Sequence, residues 1–184
     1  MNIMKTIKIL IIGILAITVV SCETDDSGTD DTLPRFSFRI SGDGFTETFT
    51  EDDDFENIQL NLKHDAEYEF TFSGGDSQGT KLIQMQYPTD YIEFVGDEPF
   101  PPAPWELVLT SSSLSGIIQW EGDINNPVTG NILNGTLKPN GDLVSIALFF
   151  RVEDFGGESG ISNVVDAQLG ILIDDHPTEL IQFN

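Results

Sequence analysis

Acidic side chains are the first candidates for chemistry in this 184-residue chain, because Asp and Glu number 31 and three groups of them stand where turns are expected. The groups are Glu51, Asp52, Asp53 and Asp54; Asp97 and Glu98; and Asp174 and Asp175. Hard carboxylate oxygens at strand ends are how extracellular β modules hold calcium, so Asp52, Asp53, Asp54, Asp97, Asp174 and Asp175 are the calcium candidates. None follows the alternating spacing of an EF-hand loop, and a solvated acidic rim explains the same runs without an ion. The rim is the reading adopted, and no cofactor is expected. The two histidines, His64 and His176, each sit beside aspartates. A metal site built on them would need the two to converge across the fold, since neither has helical spacing to a second ligand.

Carboxylate pairs roughly 5–9.5 Å apart do the work of glycoside hydrolases. With 31 acids some pair falls at that separation in almost any fold, so no pair is singled out. Ser111, Ser112 and Ser113 read as a loop or strand edge, and no nucleophile is assigned. Aromatic side chains are the remaining candidates, because an exposed ring is a platform for a sugar ring and a buried one is core. Trp105 alternates in phase with Leu107 and Leu109 and is assigned to the core face. Trp120, between Gln119 and Glu121-Gly122, is placed at a strand end near the surface, and Phe100 in a proline-rich loop is placed in solvent. Trp120 and Phe100 are therefore the ligand-binding candidates.

The elements that must position these residues are strands. Phe36, Phe38 and Ile40 alternate with Ser37 and Arg39; Ile58, Leu60 and Leu62 alternate with Gln59 and Asn61; Tyr68, Phe70 and Phe72 alternate with Glu69 and Thr71. That period of two is the mark of a half-buried strand. Between such segments lie Gly, Pro, Asn and Asp clusters. Asn140-Gly141 is the most specific of them, a tight-hairpin signal between residues 134–138 and 143–151. Residues 143–152 are nearly continuously apolar, as a central strand covered on both faces would be. The count is nine to eleven strands, and the expected fold is an all-β, antiparallel, immunoglobulin-like β-sandwich, somewhat expanded, over residues 35–184. Residues 35–62 are expected to add an extra hairpin or edge strands.

The amino terminus has a different composition. Lys5 and Lys8 precede an apolar run over residues 9–20, followed by Ser21 and Cys22. This is the order of a secretory signal, and the run is too short for a spanning helix of about 20 residues. Val19-Val20-Ser21-Cys22 resembles the lipobox of bacterial lipoproteins. The resemblance implies cleavage after residue 21, acylation of Cys22, the lone cysteine, and a membrane partner reached through that lipid. It also implies an address: Glu23 follows the cysteine, and Glu23, Asp25 and Asp26 are similar to export tags for the outer face of the outer membrane. Asp31-Thr32-Leu33 looks like a short O-glycosylation motif, which makes Thr32 a glycosylation candidate. Residues 22–34, polar and acidic, read as a flexible tether.

Loss of residues 1–21 would leave 6 basic residues against 31 acidic ones, a net charge of −25. Such a charge repels nucleic acid and anionic head groups, so no nucleic-acid partner is expected. Residues 152–160, with Val152, Asp154 and Gly156-Gly157, followed by residues 161–173, resemble the last two strands of bacterial immunoglobulin-like surface domains. The reading is a non-catalytic cell-surface module that binds or presents, with a glycan or protein partner. A structural component of an envelope complex is the alternative, and a small glycoside hydrolase-like enzyme is the third reading.

Overall fold

The computed structural model describes residues 32–96, 99–110, 114–156 and 160–183. Among the described residues, twelve strands lie in two sheets. The first sheet has five strands: β1 (Arg35–Gly42), β2 (Phe45–Thr50), β4 (Tyr68–Gly75), β6 (Ile92–Val95) and β9 (Gly130–Pro139), in the order β2-β1-β4-β9-β6. The second has seven: β3 (Ile58–Lys63), β5 (Thr80–Pro88), β7 (Glu106–Leu109), β8 (Ser115–Glu121), β10 (Val144–Asp154), β11 (Val164–Asp174) and β12 (Glu179–Gln182). Its order is β12-β3-β11-β10-β5-β8-β7, so β10 is central. The fold is the expected all-β sandwich. It departs from a purely antiparallel plan where β3 runs parallel to β11, and it has one strand more than the expected range.

Alternation built the core as read. Phe36, Phe38 and Ile40 of β1, Tyr68, Phe70 and Phe72 of β4, and Leu60 and Leu62 of β3 are all buried. Phe150 of β10 holds the two sheets together, with ring centroids 5.4 Å from Phe36, 4.9 Å from Phe38 and 5.2 Å from Phe72. Gly74 makes room for this approach: a Cβ there would lie 2.7 Å from Val152 Cγ2. Residues 35–62 belong to the same sandwich, the β1–β2 hairpin closing one edge of the small sheet and β3 entering the large one.

Four expectations are corrected. Asn140-Gly141 is not a hairpin turn, because β9 lies in the five-stranded sheet and β10 in the seven-stranded one. The segment is a crossover: Gly141 has φ +124°, and the Asn140 N–H donates to the Tyr91 carbonyl instead of closing a two-residue loop. Residues 143–152 do form a central strand, but its outer face is bare, with Phe149 43% exposed. Leu107 and Leu109 are exposed on the edge strand β7 although Trp105 is buried, so the burial expected of the alternation stops at Trp105, just before the strand begins. The tether also ends earlier than expected: Pro34 is buried, and the Thr32 carbonyl accepts a hydrogen bond from Asn163 Nδ2 at 3.2 Å.

Candidate functional site

The outer face of the seven-stranded sheet is assembled by register. Phe149 and Phe150 are consecutive in β10, so one ring must point to each side of the sheet. Phe150 takes the core, and Phe149 stands in solvent. Pairing then aligns Ile117 of β8, Gln86 of β5, Phe149 of β10 and Gln168 of β11 in one row across four strands. The next row is Gln119, Gln84, Arg151 and Asp166. On β5, β8 and β10 these residues sit between buried neighbours, such as Met85 and Tyr87 around Gln86, and on β11 Asp166 and Gln168 alternate with the partly buried Val165 and Ala167 and the buried Leu169, which fixes their outward direction.

Polar reach marks this face. Gln84 Nε2 donates to Gln119 Oε1 at 3.3 Å, and Gln119 Nε2 donates to Glu121 Oε1 at 2.9 Å. Arg151 Nη1 pairs with Asp166 Oδ2 at 3.3 Å. Among the described residues, the side-chain amides of Gln86 and Gln168 have no protein partner. Two shallow depressions flank Phe149 and share it with Gln86. One, of about 420 Å³, is lined by Gln84, Arg151, Asp166 and Gln168; the other, of about 300 Å³, by Pro88, Tyr91, Ser115, Ser145 and Ala147. Small side chains at Ser115, Ser145 and Ala147 create the second hollow. Phe149 rises between the two.

The aromatic candidates from sequence fall elsewhere. Trp120 is 7% exposed and faces Ile83 across the β5–β8 pair, in phase with buried Ile118. It is core, not a surface platform, because the alternation of β8 continues to the strand's end. Phe100 is half-buried, stacked on Phe94 at 4.6 Å and edge-on to Phe70 at 6.3 Å. The proline-rich loop folds it back over the core. Trp105 is buried as expected, its indole N–H donating to the Ile132 carbonyl at 3.3 Å. Phe149 was the aromatic missed, and the Phe-Phe pair was the available signal.

The acidic candidates do not gather. Asp52, Asp53 and Asp54 lie in the turn before β3, where Asp53 accepts from the Thr50 N–H at 2.7 Å and Asp54 from Asn57 Nδ2 at 2.8 Å. Asp174 and Asp175 lie at the opposite end of that strand, since Asp174 pairs with Lys63. Asp174 is spent on His176, accepting its N–H at 2.8 Å and lying 3.0 Å from Nδ1. His64 does come within 3.9 Å of Asp175 and 3.4 Å of Asp65. Among the described residues no three His, Cys, Asp or Glu side chains are grouped to hold a metal ion. Asp97, Cys22 and the Ser111–Ser113 run lie outside the described residues, and Thr32 is exposed.

One serine pattern was overlooked in the sequence. Gly75-Asp76-Ser77-Gln78-Gly79 has the spacing of a nucleophile elbow. That motif requires a strand-to-helix turn, whereas this one joins β4 to β5. Asp76 shapes the turn by accepting the Gln78 N–H at 2.7 Å.

Away from the sheet face, two carboxylates are held below their usual range. The Thr178 N–H, 3.1 Å away, lowers Asp43 against the opposing effect of desolvation, with help from the Thr178 hydroxyl and Lys63. Burial pushes Glu153 up, but Lys81 at 2.6 Å and the Ser162 hydroxyl outweigh it. Tyr68 and Tyr87 are raised by burial. Tyr68 also ties β12's approach to the core through a short hydrogen bond to the Thr178 hydroxyl.

No protein-family model matches the sequence, and no curated protein matches it closely. Among solved structures, the chain is similar to a cohesin module from a family 33 glycoside hydrolase of Clostridium perfringens, with a TM-score of 0.38 and 10% identity. The alignment covers 64% of this chain and 97% of that one. No residue of this chain receives a role from that likeness.

Proposed function

We propose that this chain is a non-catalytic binding module, held at the outer membrane surface by lipid on Cys22, that presents the outer face of its large sheet to a ligand. The observation that carries the binding role is Phe149, 43% exposed at the centre of the sheet with hollows on both sides. Phe149 projects from a strand paired on both sides, between two carboxamides without a protein partner among the described residues, and that arrangement supports a contact surface for a ligand. Asp166 is the carboxylate lining these hollows among the described residues, and it is paired with Arg151. A glycosidase would need two carboxylates there.

The anchoring part rests on the charged, apolar and small-residue order ending at Cys22. It is tested by adding protease to intact cells expressing the full chain or its Cys22→Ala variant. Digestion of the wild type on intact cells, with release of the variant to the soluble fraction, is the expected result. Protection of the wild type, or its recovery as a soluble protein, would refute surface anchoring.

An assembly role has one observation in its favour. Leu107, Val108 and Leu109 are 44%, 40% and 56% exposed on β7, at the edge of the seven-stranded sheet. Exposed apolar edges pair with other strands. Concentration-dependent association in size-exclusion chromatography, abolished by Leu107→Lys, is what this second reading predicts.

A further inference from the structure

Resting on the assignment of the large sheet's outer face as the binding surface, we propose that its ligand is a neutral polysaccharide, lying along the groove with one sugar ring stacked on Phe149. Charge selects the class. The whole chain carries −23, yet the strip made by Ile117, Gln86, Phe149 and Gln168 has no charge, and the adjoining Arg151 and Asp166 cancel as a pair. A polyanion would be repelled by the surrounding acids, among them Glu51, Asp53, Asp54 and Glu56, which share a hollow with Asp166 and Gln168, and a polycation would be centred on those acids and not on Phe149. A neutral partner loses nothing here.

Hydrogen-bond chemistry points the same way. A carboxamide offers two donors and an acceptor in one plane, which suits adjacent hydroxyls that both donate and accept. Gln86 and Gln168 stand on either side of Phe149 in the row, with no protein partner for their amides among the described residues. The ring supplies the apolar contact that the C–H face of a pyranose needs. From Arg151 to Ser145 the groove follows β10 for about 20 Å at the rise of an antiparallel strand, the length of a short oligosaccharide. An extended peptide gains most of its affinity by adding a strand to a free sheet edge. Phe149 instead lies where β10 is paired on both sides, with Gln86 and with Gln168.

The test is native electrophoresis of the detergent-solubilised full chain through gels containing galactomannan, xyloglucan or soluble starch, with polygalacturonate and casein gels as the charged and polypeptide probes. Retardation by at least one neutral polysaccharide is expected, weakened about tenfold or more in Phe149→Ala, as loss of a ring contact requires, and retained in Phe149→Trp. Gln168→Ala, on an exposed side chain, should weaken it as well and serves if Phe149→Ala melts early. No retardation in any neutral gel, or retardation that survives both substitutions, overturns the proposal. Phe149-dependent retardation by casein alone overturns the sugar class, and by polygalacturonate alone its neutrality, so either overturns the proposal while leaving the face as a binding surface.

Discussion

The two outer faces of this sandwich share a backbone geometry and differ in what they hold out to solvent. On the five-stranded sheet, Thr48, Arg39, Thr71 and Asn134 form a row, and Thr50, Ser37, Ser73 and Ile132 form the next. In the first row Thr71 Oγ1 donates to Asn134 Oδ1 at 2.8 Å, and further along the sheet, on β1 and β2, Ser41 Oγ and Thr46 Oγ1 bond at 2.8 Å. Short β-branched hydroxyl residues suit a pleated surface and finish it. On the seven-stranded sheet the same positions carry glutamines with reach, a bare phenylalanine and two hollows. The row of Thr71 and Asn134 is closed by its own hydrogen bonds, and although a hollow of about 410 Å³ lies beside it at Ser37, Ser73 and the exposed Ile132, no exposed aromatic ring stands there among the described residues, as Phe149 does between Gln86 and Gln168 on the large sheet.

Substitutions can break or sharpen that contrast, and the largest effect belongs to the ring on the hidden side. Phe150→Ala should lower unfolding free energy by about 3–5 kcal/mol in urea denaturation, since it removes the ring that joins Phe36, Phe38 and Phe72. A loss under about 1 kcal/mol would mean that the sheets are not held together there. Phe149→Ala, one residue away, should leave the melting temperature nearly unchanged and weaken ligand binding about tenfold or more, measured by calorimetry. If the two variants behave alike, the division between core and open face is wrong.

Smaller effects follow on the polar groups. Gln86→Ala should weaken binding by about 0.5–1.5 kcal/mol, the worth of a hydrogen bond, whereas Thr71→Val on the closed face should not change it. The smallest effect is on acid stability. Asp43 and Glu153 both have carboxyls lowered in the folded state, so their contribution is complete above the unfolded values of about 4 and is lost as pH falls through the folded ones. Melting temperature should therefore drop below about pH 4, less steeply in Asp43→Asn. An equally steep acid limb in that variant would remove Asp43 from the account.

Much of the fold was legible because a half-buried strand writes its own period. Phe36, Phe38 and Ile40 could be assigned inward from Ser37 and Arg39 alone, and all three are buried. Sheet membership was not legible at Asn140-Gly141: a tight turn and a crossover use the same residue types, and the choice was made by Tyr91, nearly fifty residues earlier, whose carbonyl takes the Asn140 N–H at 2.8 Å. The site was hidden by a related ambiguity. Residues 143–152 are apolar on both sides, and composition does not say whether a second layer covers the outer one. Trp120 and Phe100 pack inward because strand phase and the return of the loop override the polar and proline residues beside them. The neutral glutamine row became visible when register aligned Gln86, Phe149 and Gln168, which are far apart in the chain.

The central claim, that the open face of the large sheet is where this protein meets its ligand, is tested most directly by amide chemical-shift mapping during titration with a neutral oligosaccharide. Shifts clustered at Gln86, Ala147, Phe149 and Gln168, saturating together, are the predicted result. Shifts centred on Ser37, Thr71 and Asn134, or none on either sheet, would contradict it.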